Sequence, residues 1–567
     1  MENAIAFSSE GQTLALCRKC AFFPAAHLRH ILIILIMKGN IGIVLVGLLV
    51  IGASSCTKNF EDYNTNKAAL SNSQTVAILA TAFGPLEQSI YQDYQTAQNL
   101  NADGFAGMFM SPTPFKAAYD LNYFLIDAWD RNGFVDQYNL VMAPVSKIAA
   151  TGVRTTEPAL WAVALILQVE AMDRVTDRFG PVPYSKAGTS VTAVGYDSQQ
   201  AIYNQFFAQL DTAVANLTAY IAAHPGDTTG QLGANDLIYE GKYAQWLKYA
   251  NSLRLRLAMR IVKVDPATAQ TQGQKALSDP GGLMSVPSDD ALFAQSGGRN
   301  NDVWLVASDY GDCRMNAALM TYMVGFKDPR LPVYAVPATD AVVVGALGPG
   351  QYEGIRIGIN IAAKDDYEGY AAPNTTTTFQ QTASQYLMTA AEVWFLKAEA
   401  ALRGWSGAGE AQTDYETGIS TSFQQWGVSG GAYLSDGTST ETSYVDPRNS
   451  ANNAAALSTI TIKWDPTATQ EVMLERIITQ KWIAIFPDGQ ESWADYRRTG
   501  YPRLFPVVVN NSGGVISTTT QIRRLDYPQS EYTTNAAAVN NAVSSLLNGP
   551  DVGGTRLWWD VAGKGNF

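Results

Sequence analysis

From residue 57 to its end the chain contains one cysteine, Cys313, and one histidine, His224. No intrachain disulfide can form within that stretch, and a zinc site built from His and Cys lacks its ligands. The fold must therefore hold itself by burying apolar surface. The composition allows this, with 47% hydrophobic and only 16% charged residues, too apolar for disorder. The length fits three or four domains, or one large helical body. Lys and Arg number 39 against 51 Asp and Glu, a net of -12 with no basic cluster, which argues against a nucleic-acid partner.

The amino terminus reads as an export signal. Lys38 precedes an apolar run over residues 41–51, followed by Gly52-Ala53-Ser54-Ser55-Cys56: a charged n-region, a short h-region and a small-residue cleavage site. A membrane span over 31–53 would be interrupted by Lys38-Gly39-Asn40. Residues 50–56 resemble a bacterial lipobox, in which cleavage leaves the cysteine as the lipid-bearing first residue, so Cys56 is the expected acylation site. Met37 directly precedes Lys38, and residues 1–36 read as an over-extended start. Residues 37–55 are then the signal, the Asn-rich 56–70 a tether, and 71–567 the folded body.

Catalytic patterns are scarce. Gly427-Val428-Ser429-Gly430-Gly431 matches a nucleophile elbow, but it follows a helix pattern, and its only histidine partner, His224, comes earlier in the chain, the wrong order. No phosphate-binding Gly-Lys-Ser/Thr loop occurs, and the glycines at 345–350 lack the helix and acid of a dinucleotide site. No cofactor or metal is expected. Glu491 and Asp495 stand four residues apart and paired acids can hydrolyse glycosides, yet Arg497 and Arg498 follow and local ion pairing explains the acids.

Apolar residues at three- and four-residue steps predict helices over 74–99, 132–150, 157–179, 198–223, 242–264, 386–403, 410–426 and 469–486, with a short one at 491–498. Thr156 is the expected cap of the third, Gly180-Pro181 its stop, and Asp265-Pro266 the stop of the fifth. Arg254, Arg256 and Arg260 read as a solvated or salt-bridged face. Residues 281–384 read as loops with a little strand, including Val342-Val343-Val344, and 430–458 as a polar surface excursion. Trp394, Ala398, Ala411, Tyr415 and Gly418 follow a tetratricopeptide spacing, so the expected fold is mainly α, with helix pairs as scaffold and loop-rich, minor β excursions.

Several segments together resemble one family: Asp177-Arg178-Phe179-Gly180-Pro181-Val182-Pro183-Tyr184-Ser185, Asp328-Pro329-Arg330-Leu331-Pro332, and residues 246–256, 391–400 and 523–531. Most specific is 480–502, with Phe486-Pro487-Asp488-Gly489-Gln490-Glu491-Ser492-Trp493 at its centre. In this order they resemble the SusD/RagB nutrient-binding outer-membrane lipoproteins of the Bacteroidetes lineage. The resemblance implies tetratricopeptide-like helix pairs, no catalysis, and a lipid-anchored protein on the cell exterior. Such a protein takes up glycan or peptide and acts as a lid over a SusC-like TonB-dependent barrel.

The family's ligand contacts lie in variable loops and do not transfer. The chain's aromatic content, 11%, exceeds what a core needs, so some rings should be exposed for stacking on sugars. Candidates in loop-like sequence are Tyr119, Tyr123, Trp304, Tyr310 and Tyr370. Two other functions fit the residues alone: a carboxylate glycosidase using Glu491 and Asp495, or a protein-only helical-repeat adaptor.

Overall fold

Capping residues set where the long helices begin. In a computed structural model that describes residues 72–116, 118–188 and 194–567, Ser198 accepts from the Ala201 N–H ahead of helix α2, and Thr389, Thr469 and Asp488 do the same for α5, α7 and α8. The scaffold helices are α1 (Pro158–Phe179), α2 (Gln199–Ala223), α3 (Tyr243–Arg260), α4 (Pro266–Ser278), α5 (Ala390–Leu402), α6 (Ala411–Gln425), α7 (Gln470–Ala484) and α8 (Gly489–Thr499). Cys56, the tether and the leader lie outside the described residues.

Pro158 opens α1, but Thr156 does not cap it. Its hydroxyl bonds back to the Gly152 carbonyl inside a preceding helical turn. Gly180 ends α1 at φ +87°, a conformation that favours glycine. Helix α3 ends at Arg260, ahead of the expected stop at Asp265-Pro266, which instead starts another helix: the Asp265 carboxylate accepts from Thr268 N–H at 3.1 Å, making α4 an element the periodicity did not predict.

Consecutive helices pack as hairpins: α1 on α2, α2 on α3, α3 on α4, α5 on α6, with α5 also against α3 and α7. Gly418 of α6 lies where a Cβ would stand 2.9 Å from the Phe395 ring of α5, so the close crossing requires a residue without a side chain. The tetratricopeptide spacing is thus a packing fact. Strand is confined, among the described residues, to three two-stranded antiparallel sheets: Phe109–Met110 with Arg314–Met315, Ala291–Phe293 with Gln385–Met388, and Ala335–Val336 with Ala372–Pro373.

Three expectations need correction, and a fourth segment, the polar excursion at 430–458, keeps its surface course but is anchored at Tyr433 and Asp446. The helix at 74–99 is broken into Asn72–Ala80, Phe83–Ser89 and a π-helical Gln95–Asp103. The one at 132–150 contains a π-turn at Tyr138–Met142, just ahead of Pro144, which lacks an N–H for the helical ladder. Val342-Val343-Val344 is helical because Asp340 accepts from Val342 and Val343 N–H, and the cap overrides β-propensity. The 430–458 segment is tied down, since the Tyr433 hydroxyl bonds Asp328 and the Asp446 carboxylate accepts from Tyr367 and Tyr370.

The arginines of α3 take the salt-bridged of the two expected forms, and they do so in the interior, because neighbours cover the helix from Tyr249 onward. Arg256 forks onto Glu392 of α5 at 2.8 and 2.7 Å and reaches Glu170 of α1. Arg260 pairs with Asp177 of α1 at 2.9 Å and with Glu491 of α8. Arg254, also buried, meets Asp211 of α2 at 2.7 Å. Lys481 of α7 holds Asp495, Glu491 and Glu392 at 2.7, 2.9 and 3.3 Å. One buried ionic network therefore joins α1, α3, α5, α7 and α8.

Candidate ligand-binding cleft

Two π-helical segments face one open cleft. Gln95–Asp103 is rich in amides, and Leu305–Asp309 follows a turn that begins at Asp302. π-helices are rare and concentrate at functional sites. Between them lies a cleft of about 460 Å³, walled by Gln92, Gln95, Asn132, Arg299 and Tyr310. Its rim is strained at Asp93, φ +50°. Arg299 clasps Asp302 at 2.8 and 3.0 Å and donates to the Tyr91 carbonyl at 2.8 Å.

Asp312 links this cleft to a second one. Its carboxylate accepts from Gln95 at 3.2 Å, from Thr113, and from Lys364 at 3.0 Å. Beyond Thr113 lies another opening of about 460 Å³ lined by Pro114, Lys116, Tyr119, Asn122 and Asn360. Behind it Phe115, Tyr119 and Trp129 form an edge-on aromatic cluster with centroids 5.4–6.4 Å apart.

Of the expected aromatics, Tyr310 is 45% exposed at the mouth of the first cleft, and Trp304 is half-buried beside its wall residue Leu305. Tyr119 lines the second but is only 4% exposed. Tyr123 is buried against Phe105, and Tyr370 is buried with its hydroxyl on Asp446. Neither Tyr123 nor Tyr370 presents a face for stacking. Arg299, Gln92 and Asn132 were not singled out from the sequence. The amide density of 95–101 is no signal for them, because Gln98, Asn99 and Asn101 are buried on internal partners and only Gln95 of these amides reaches the cleft.

Glu491 and Asp495 lie outside the cleft, both buried. Burial alone would raise Glu491, but Arg260, Lys481 and Arg256 hold it well below the usual carboxylate range. A carboxyl so held cannot serve as a general acid. Its partners come from α3 and α7, not from Arg497, which donates to the Asp177 and Arg523 carbonyls. Asp495 does pair locally with Arg498, at 3.0 Å. Among the described residues no group of three or more His, Cys, Asp or Glu is placed to hold a metal ion.

Carboxyls around the cleft carry a pH signature. Burial pushes Asp302 up to about 6 and Asp103 up to about 6, and burial with the neighbouring Asp93 pushes Asp136 up to about 7. A raised carboxyl stabilises the fold below its ordinary value and loses that contribution as pH rises through 6–7. Glu399 behaves oppositely: burial would raise it, but Arg498 and Arg403 hold it at about 2, so its contribution is present above its ordinary value of 4.5 and is lost toward pH 2. The thermal unfolding midpoint at constant ionic strength should therefore be highest near pH 4, fall between about pH 4 and 7, and level off above that. A midpoint that climbs steadily from 5 to 8 would contradict these assignments.

A helix-hairpin scaffold carrying an open polar cleft edged by an exposed tyrosine, with Glu491 and Asp495 locked in ion pairs, has the build of a helical ligand-binding scaffold. A family model described as SusD-like, the SusD and RagB outer membrane lipoproteins, matches residues 57–560. The chain belongs to this SusD-like family. It is similar to the structure of a chitin-binding SusD homologue from Flavobacterium johnsoniae, at 42% identity and TM-score 0.81, covering 86% of this chain and 100% of that one. SusD homologues from Bacteroides vulgatus (36%, TM-score 0.79, 86% and 98% covered) and Bacteroides uniformis (34%, 0.78, 85% and 99%) are also similar. No curated protein matches the chain. No described helix is long and apolar enough to cross a membrane.

Proposed function

We propose that the protein is a cell-surface lipoprotein, acylated at Cys56, that captures an oligosaccharide in the cleft between the π-helical segments Gln95–Asp103 and Leu305–Asp309. As a lid it passes the sugar to a SusC-like TonB-dependent transporter, without catalysing a reaction. The observation that carries the reading is the paired opening about Asp312. It is lined by amides that both donate and accept, and edged by the exposed ring of Tyr310. Hydroxyl-rich ligands need such two-way hydrogen bonding plus one apolar face to stack on.

The chitin-binding description of the Flavobacterium relative makes N-acetylglucosamine oligomers the first ligands to test. In isothermal titration with chitotetraose, Tyr310→Ala should weaken binding about fivefold to tenfold, the worth of one stacked ring. Binding of peptides and of no glycan would replace the ligand class. Co-purification with the outer-membrane barrel from the native membrane tests the lid role, and loss of that complex in a Cys56→Ser chain tests the anchor.

A further inference from the structure

A third concavity, sharing no lining residue with the cleft, opens where the helix Ala143–Ala150 meets α1 and α2, and it holds about 270 Å³, the scale of a single sugar ring. Helical spacing builds it. Trp161 and Gln168 stand two turns apart on α1, and Gln205 and Gln209 one turn apart on α2, so each pair shares a face. The walls close with Tyr138 and Tyr184, whose hydroxyls are already engaged, donating to the Pro183 carbonyl at 2.6 Å and to Gln209 Oε1 at 2.5 Å.

That arrangement leaves hydrogen-bonding capacity unspent. Gln205 is half-buried and makes no side-chain hydrogen bond among the described residues, and the Nε2 of Gln209 has no protein partner there. No carboxylate lines the concavity. Its one charge is Arg154, which is exposed and has no acidic partner among the described residues. Its guanidinium lies over the Trp161 ring, 4.9 Å from the centroid. An unpaired arginine on an indole is a removable cover: swinging it aside exposes a flat apolar face beside neutral amides.

We propose that this concavity is a second saccharide site, which takes one neutral pyranose ring against Trp161 with Gln205 and Gln209 bonding its hydroxyl or acetamido groups. The inference rests on the reading that the protein's ligand is a glycan. It adds a place where a chain held in the cleft, or a second chain, is gripped by the helix-hairpin scaffold.

The test titrates N-acetylglucosamine and chitotetraose into the full folded domain, followed by saturation-transfer NMR. Gln205→Ala should weaken the monosaccharide about fivefold or more, Arg154→Ala should tighten it about threefold by uncovering the indole, and Tyr310→Ala, which removes the cleft's stacking ring, should still show the monosaccharide binding that Gln205→Ala loses. Gln205 is half-buried and unbonded, so its variant should keep the wild-type unfolding midpoint. Monosaccharide binding that survives Gln205→Ala but disappears in Tyr310→Ala overturns the second site. So does chitotetraose binding confined to the cleft with no monosaccharide signal, an outcome that leaves the cleft standing. Absence of both sugars from the wild-type protein overturns both readings together.

Discussion

Lys481→Met should destabilise the protein by about 3–5 kcal/mol, the cost of removing one partner from a buried ionic cluster. The side chain is 1% exposed, and its ammonium bonds Asp495, Glu491 and Glu392. Burial alone would make that ammonium a weaker base. The three carboxylates reverse the effect and hold it above its ordinary range. Methionine keeps the packing and deletes the charge. Glu392 would keep its fork from Arg256 and Glu491 its contact with Arg260, but Asp495 would be left with Arg498 alone. Most of the loss should therefore reside on Asp495. Adding Asp495→Asn to the variant should recover part of it, a non-additivity that a double-mutant cycle in urea measures. A single-variant loss under about 1 kcal/mol would mean that water screens the cluster.

The same cluster explains what the sequence could and could not reveal. Apolar periodicity is a local property, and it located α1, α2, α3, α5, α6 and α7 within a few residues. Whether a helix has one wet face or none depends on partners far along the chain, so the sequence leaves Arg256 and Arg260 as either solvated or salt-bridged, and it is α1, α5 and α8 that bury them as ion pairs. The carboxylates of Glu491 and Asp495 were rightly read as ionic, but the spacing pointed to neighbours in sequence, whereas Lys481 and Arg260 arrive from other helices. Of the candidate site, Tyr310 and Trp304 were legible as aromatics in irregular sequence. Tyr123 and Tyr370 looked identical by that criterion and turned inward, because loop-like sequence here is threaded under other loops, as the bond from Tyr370 to Asp446 shows. The π-helical turns have no simple residue signature, so the amide wall of the cleft had to wait for the fold.

Gly489→Ala should couple the scaffold to the cleft. Gly489 opens α8 beside the last residue of the amide-rich π segment, its N–H donating to Asp103 Oδ1 at 3.1 Å. A Cβ there would stand 2.3 Å from the Asp103 Cα and 2.4 Å from its Oδ1. Backbone cannot rotate away as a side chain can, so α8 and the π segment must separate. Asp103 is further pinned by the Tyr94 hydroxyl at 2.6 Å and by Gln98 at 2.9 Å, and the displacement should pass along the segment to Gln95 and its bond with Asp312. The expected cost is about 3 kcal/mol in unfolding free energy, at the upper end for overpacking. Chitotetraose affinity should also fall about tenfold in the fraction that remains folded. Gly345→Ala is the control, because its added methyl group meets nothing within 4 Å, and it should leave both quantities close to wild type. If Gly489→Ala lowers stability but leaves the affinity intact, the π segment is not the wall on which the ligand rests.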